Sequence, residues 1–181
     1  MKTETSRPTI VAFTGLAQSG KTTAAKFLLS EGYERMSFAD PIKQMIRCLT
    51  PLADKHAAPP AFGGKTIREL YQTLGTDWGR NMVNTNLWVN LGRERLESLL
   101  ADVADNIIRG IVIDDLRFDN EAELVRSLGG LVIQVERPGV EAMAHVSEAG
   151  ISPELVTCIL SNAKSYGDFQ DSVRWVCGLA S

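Results

Sequence analysis

Ile10-Val11-Ala12-Phe13-Thr14-Gly15-Leu16-Ala17-Gln18-Ser19-Gly20-Lys21-Thr22-Thr23 decides how this chain folds. An apolar run suited to a buried strand passes into a glycine loop and then into a helix start. Gly15 to Thr22 match G-x-x-x-x-G-K-[ST] at every fixed position. Glycines let the backbone curl so that successive N–H groups point inward at phosphate oxygens. A helix opening near Gly20 adds its unpaired N–H groups and the positive end of its dipole. Lys21 can reach the β- and γ-phosphates of a nucleotide, and the Thr22 hydroxyl can bind Mg²⁺. Chance alone produces the bare pattern in about one chain per hundred of this length. The alternative is a glycine-rich strand–helix turn that binds nothing. Val11-Ala12-Phe13 before the loop and Ala24-Ala25-Lys26-Phe27-Leu28-Leu29 after it supply the strand and helix that nucleotide binding requires.

With 181 residues, the chain is expected to form one domain with room for a small insertion. At 44% apolar it can bury a real core. A net charge of −3 argues against a basic nucleic-acid platform or a polybasic membrane surface. An anionic ligand must then be caught by local arginines and backbone N–H groups. Cys48, Cys158 and Cys177 have no paired spacing, which suits free thiols in a reducing cytoplasm. The polar start of the chain predicts no signal peptide. No apolar run reaches the length of a membrane span.

From the P-loop onward, helical patterns alternate with strand patterns. A helix is expected from Lys21 to about Ser30, ended by Gly32 at C′, and a strand over Tyr33–Phe38. Asp40 as N-cap and Pro41 as first helical residue open the next helix, with Ile42, Met45, Ile46 and Leu49 on its buried face. Pro51 to Gly64, with three prolines and two glycines, reads as a mobile loop. Thr66-Ile67-Arg68-Glu69 has capping-box spacing, and the helix it starts should stop near Gly75. A further helical stretch begins near Asp77. The longest helix spans Leu87 to about Val103, with Trp88, Leu91, Leu99, Leu100 and Val103 inward. Gly110–Ile113 and Leu131–Glu136 read as central strands, separated by a helix from about Asn120 to Leu128. A short helix opens at Ser152-Pro153-Glu154, Val156–Leu160 is a last strand, and Asp168–Cys177 a terminal helix. The alternation implies an α/β fold, a five-stranded parallel sheet with helices on both faces. Ligands in such sheets bind beyond the carboxyl ends of the strands. Gly15–Thr22, Ser37–Lys43, Asp114–Arg117, Arg137 and Asn162–Lys164 all fall at such ends.

A carboxylate at the end of the third strand can hold Mg²⁺ through its water shell. Asp114 and Asp115 both qualify; the one not used caps the next helix or contacts the acceptor. Phosphoryl transfer between polyanions needs cations along the line of transfer. Guanidinium suits this because it grips phosphate with two donors. Arg117, Arg80, Arg68 and Arg137 are the candidates, each with a solvated surface charge as the plainer reading. Lys21, Arg117, Asp115, Arg80 and Arg137 form the expected catalytic set. No base is required if the acceptor oxygen is already ionised at pH 7. His56 and His145 lack neighbours at metal-ligand spacing. Trp78, Trp88 and Tyr71 are either core residues or a stacking surface for a base. Asn162 and Lys164 follow the last strand, where a nucleotide base can rest; the plainer reading is a turn.

These residues resemble the deoxynucleoside monophosphate kinases of tailed bacteriophages, within the P-loop nucleoside monophosphate kinases. The resemblance rests on Gly15–Thr22, Ser37–Lys43, Arg68–Arg80, Asp115–Glu121 and His145-Val146-Ser147-Glu148. It implies the P-loop NTPase fold and transfer of the γ-phosphate of ATP to a deoxynucleoside monophosphate, for phage DNA precursor supply. ATP would meet Gly15, Ala17, Gln18, Ser19, Gly20, Lys21, Thr22, Thr23, Asn162 and Lys164. The acceptor would meet Asp40, Lys43, Arg68, Gln72, Trp78, Arg80, Trp88 and Arg117. Thr22, Asp114 and Asp115 remain the candidates for Mg²⁺. The implied layout is a core over 9–38 and 106–181, an acceptor-binding helical insertion at about 39–105, and a short lid at about 137–150. The expected protein is cytoplasmic, a monomer or homodimer, without membrane or nucleic-acid partners.

Two alternatives differ in acceptor or in class. A P-loop kinase acting on a hydroxymethylated base in DNA would need a hydroxyl-activating carboxylate, for which Asp40 or Asp115 could serve. Dephospho-coenzyme A is another possible acceptor. A nucleotide-driven switch should show N-K-x-D, and an ABC-type module Leu-Ser-Gly-Gly; neither occurs.

Overall fold

The structure is a computed structural model and describes residues 8–50, 54, 56–140 and 150–179. Ile10–Thr14 (β1), Tyr33–Met36 (β2), Gly110–Ile113 (β3), Leu131–Glu136 (β4) and Cys158–Ser161 (β5) form one sheet in the order β2-β3-β1-β4-β5. Every neighbouring pair is parallel. Every residue of β1 and β3 is buried, as befits strands covered on both faces. The edge strands β2 and β5 mix buried with exposed positions. Helices occupy Lys21–Ser30 (α1), Asp40–Leu49 (α2), Ile67–Gln72 (α3), Leu87–Ala104 (α4), Asp119–Ser127 (α5) and Tyr166–Val176 (α6). No helix of the described residues is long and apolar enough to cross a membrane.

The chain divides into two compact units, one of Phe38–Gly92 and one built from the residues on either side of it. The sheet unit buries Val11 and Phe13 of β1, Phe27 and Leu28 of α1, and Ile133 and Val135 of β4 in one cluster with Phe169 and Val173 of α6. Phe27 meets Tyr166 and Phe169 edge-on, with ring centroids 5.0 and 6.1 Å away. This edge-to-face geometry sets the positive ring edge against the negative face. α6 begins at Tyr166, two residues before the expected Asp168, because Ser165 is its cap and Asp168 is the carboxylate that closes the capping box.

In the Phe38–Gly92 unit, Thr66 caps α3 as its sequence requires. Its hydroxyl accepts from Glu69 N at 3.2 Å, and Glu69 accepts from Thr66 N at 2.7 Å. The expected stop at Gly75 does not occur. α3 runs directly into a π-helix over Thr73–Val83. Gly75 and Gly79 are there for close approach, not for a break. Trp88 Nε1 donates to Gly75 O at 2.7 Å, and a Cβ on Gly79 would lie 2.4 Å from Trp88 Cζ2.

Other departures are local. Ala39 takes the N-cap position of α2, and Asp40 is its first helical residue, 3.4 Å from Lys43 Nζ. Ile42 and Ile46 are buried, but Met45 and Leu49 are exposed. β2 stops at Met36, and β5 begins at Cys158 instead of Val156. Leu91 is exposed, whereas Leu96 of the same helix is fully buried. Within the expected loop over 51–64, Pro60–Phe62 forms a 3₁₀ turn; 51–53 and 55 lie outside the described residues. So do 141–149, which include His145 and most of the expected lid.

Candidate active site

Because the sheet is wholly parallel, its strands release their loops along one edge. The central strand, β1, delivers the P-loop there. Gly15 and Gly20 adopt φ of +126° and +116°, conformations open to glycine without strain. Gly15 also passes so close to β4 that a Cβ would lie 2.3 Å from the Val135 carbonyl oxygen. Lys21 Nζ donates to Gly15 O at 2.6 Å and to Leu16 O at 2.7 Å, which holds the ammonium over the loop. The Ser19 hydroxyl is buried without a hydrogen-bond partner.

β3 leads into the two carboxylates, and the structure separates their partners. Thr22 Oγ1 donates to Asp114 Oδ2 at 3.4 Å. Asp114 Oδ1 receives Arg35 Nε at 3.1 Å and Arg35 Nη2 at 2.9 Å. Asp115 accepts from the Ser37 hydroxyl at the end of β2. The turn that follows is shaped by Glu121, a buried carboxylate that accepts from Arg117 N at 2.9 Å and Phe118 N at 3.3 Å. Beside the P-loop, an open cavity of about 380 Å³ is walled by Gly15, Ser19, Arg117, Gln134 and Arg137. Ile151 also lines it, and the next residue is anchored to α5. There Asp119 accepts from Ser152 N at 2.7 Å and from Ser152 Oγ at 2.6 Å. These donations hold the Asp119 carboxyl below its ordinary range.

Asn162 is tied to the P-loop by its side chain and to β4 by its backbone. Its side-chain amide donates to Ser19 O at 2.8 Å, while its backbone N–H bonds Glu136 O at 2.7 Å. Lys164 is exposed. Asp40, Lys43, Arg68, Gln72, Trp78, Arg80 and Trp88 belong to the Phe38–Gly92 unit; Arg117 belongs to the sheet unit. Arg80 is buried in the π-helix and donates to Thr85 O at 3.2 Å. Trp88 is buried, and Trp78, partly exposed, lies against it with ring centroids 6.3 Å apart. Arg68 and Gln72 are half-buried. Sequence reasoning passed over Arg35 and gave Glu121 no role. A basic residue one position before the end of the short strand Tyr33-Glu34-Arg35-Met36 was the available signal for Arg35.

A glycine-wrapped loop at the end of the central parallel strand, with a carboxylate from the adjoining strand on its threonine, defines a P-loop NTPase fold. Dephospho-CoA kinase from Campylobacter jejuni shares this fold, with a TM-score of 0.52 at 16% identity over 94% of this chain and 96% of that one. The profile of the deoxynucleotide monophosphate kinase family matches residues 63–173. A protein of Acanthamoeba polyphaga mimivirus named for that family is 31% identical over 180 residues, 91% of this chain and 93% of its own. The deoxynucleoside-5'-monophosphate kinase of Escherichia phage T5 is 31% identical over 103 residues, 52% of this chain and 38% of the phage protein. The chain belongs to the deoxynucleotide monophosphate kinase family: it is an enzyme that phosphorylates a deoxynucleoside monophosphate.

Proposed function

We propose that ATP is the phosphoryl donor, that Mg²⁺ accompanies it on Thr22 and Asp114, and that Arg117 and Arg137 meet the acceptor phosphate. The observation that carries this reading is the Thr22–Asp114 hydrogen bond at 3.4 Å beside a cavity of about 380 Å³ that holds both arginines. A hydroxyl and a carboxylate oxygen are the hard donors Mg²⁺ takes. Among the described residues no group of three or more His, Cys, Asp or Glu could hold a metal, so nucleotide oxygens would complete its shell. When bound, the ion offsets charge on the β- and γ-phosphates.

The chain's own residues then align and neutralise. Backbone N–H groups of Gly15–Thr23 wrap the donor phosphates, and Lys21 leaves the loop carbonyls for the γ-phosphate. The acceptor phosphate is already ionised at neutral pH, so its oxygen attacks without a base. Arg117 and Arg137 offset the charge that develops during transfer. Asp115, engaged by Ser37, shapes the turn that carries Arg117. Arg80, Arg68, Asp40, Lys43 and Gln72 serve the acceptor within a helical insertion at 39–105, with Trp78 stacking on its base and Trp88 behind Trp78. Asn162 supports the ATP loop from behind and Lys164 lies toward the ATP base. The enzyme works on free nucleotides, not DNA, in the cytoplasm, as a monomer or homodimer.

The test is a coupled assay with ATP and Mg²⁺ across the four deoxynucleoside monophosphates and duplex DNA. Formation of ADP together with a deoxynucleoside diphosphate is expected, and Lys21→Ala should suppress it while the protein stays folded. Phosphate transfer to DNA alone, or no diphosphate from any monophosphate, would overturn the proposal.

A further inference from the structure

We infer that Arg35 is a positioning residue for the metal: it grips one oxygen of Asp114 and so holds the other toward Thr22. The inference rests on the assignment of Asp114 to Mg²⁺ proposed above. Parallel pairing of β2 with β3 sets Arg35 opposite Val112, two positions before Asp114. From that position Nε and Nη2 both reach Oδ1, at 3.1 and 2.9 Å. Oδ2 is thereby the oxygen presented to Thr22 Oγ1. Asp114 is only 9% exposed, so its carboxylate orientation is set by these partners and not by solvent.

A cation beside a metal ligand has two opposed effects. It repels the incoming ion, and it orients the ligand. The Arg35 side chain is 36% exposed, so solvent and salt screen the repulsion. Orientation by two donors on one oxygen is not screened in this way. Positioning therefore wins, and loss of Arg35 weakens metal binding. Partners that orient a ligating carboxylate typically contribute 10- to 100-fold in metal affinity.

Mn²⁺ is the probe. Its affinity for the enzyme–ADP complex is read by electron paramagnetic resonance in wild type, Arg35→Ala, Arg35→Lys and Asp114→Asn, with thermal unfolding measured on the same samples. Arg35→Ala and Asp114→Asn should each weaken Mn²⁺ about tenfold or more. Arg35→Lys, which keeps the charge but not the paired donors, should fall between Arg35→Ala and wild type. Unchanged or tighter Mn²⁺ in Arg35→Ala, with Asp114→Asn weakened, overturns the role of Arg35 and leaves the Asp114 assignment standing. Unchanged Mn²⁺ in Asp114→Asn overturns the assignment beneath it. If Arg35→Ala does not fold, Arg35→Lys decides, and wild-type affinity there overturns the inference.

Discussion

The side-chain amide of Asn162 donates to the backbone carbonyl of Ser19 at 2.8 Å, across 143 positions of sequence. The end of β5 thus holds the P-loop from behind. The fit is close: a Cβ on Gly20 would lie 2.5 Å from Asn162 Nδ2. Asn162→Ala removes a hydrogen bond worth about 1 kcal/mol net. The KM for ATP should rise roughly fivefold with a smaller change in kcat. An unaltered KM in steady-state kinetics would show that the loop keeps its shape without this support.

Arg117 reaches the cavity from a turn whose N–H groups are held by Glu121. If it stabilises the charge of transfer, Arg117→Ala should lower kcat/KM by about 100- to 1000-fold, the scale of losing one preorganised donor. A loss below tenfold would argue that Arg137 carries the acceptor phosphate alone.

Gly79→Ala tests the packing behind Trp78. The added methyl would lie 2.4 Å from the ring of Trp88, itself buried. Overpacking of this kind costs about 1–3 kcal/mol. Urea denaturation should show that loss, and tryptophan emission should shift as Trp88 moves. Wild-type stability and emission would mean that the π-helix can relax around the methyl.

Asp119 anchors Ser152 and is held below the ordinary carboxylate range, chiefly by the Ser152 hydroxyl. A folded-state value lower than the unfolded one contributes stability that is full above about pH 4 and is lost as pH falls through the folded value. The melting temperature of wild type should therefore exceed that of Asp119→Asn near neutrality. The gap should close as the pH falls through the lowered folded-state value. A gap that persists there would assign the anchor to neutral hydrogen bonding alone.

Burial pushes the Cys177 thiol up to about 12, with Cys158 beside it as a lesser cause. Cys48 is exposed on α2. A disulfide exchange reagent at mild alkaline pH should label Cys48 at once and Cys177 only after unfolding. Rapid native labelling of Cys177 would show that α6 opens readily.

What the sequence alone determined was local. Glycine spacing with an apolar strand before it and a helix after it specified the P-loop. Alternating periodicities specified a parallel sheet, and from that the strand ends that would share one edge. Thr66 and Glu69 announced their capping box because both partners lie within one turn. Tertiary structure alone decided which carboxylate faces Thr22, since Asp114 and Asp115 are adjacent and chemically alike. The choice depends on the direction each takes after β3, and on Arg35 and Ser37 arriving from β2. It also decided the meaning of Gly75 and Gly79. A glycine reads equally as a helix end or as space for a neighbour, and here the neighbour is Trp88, from the following helix. Asn162 likewise became a support for the P-loop only once β4 had paired with both β1 and β5. Motifs and caps are written in neighbouring residues; partners brought together by strand order are not.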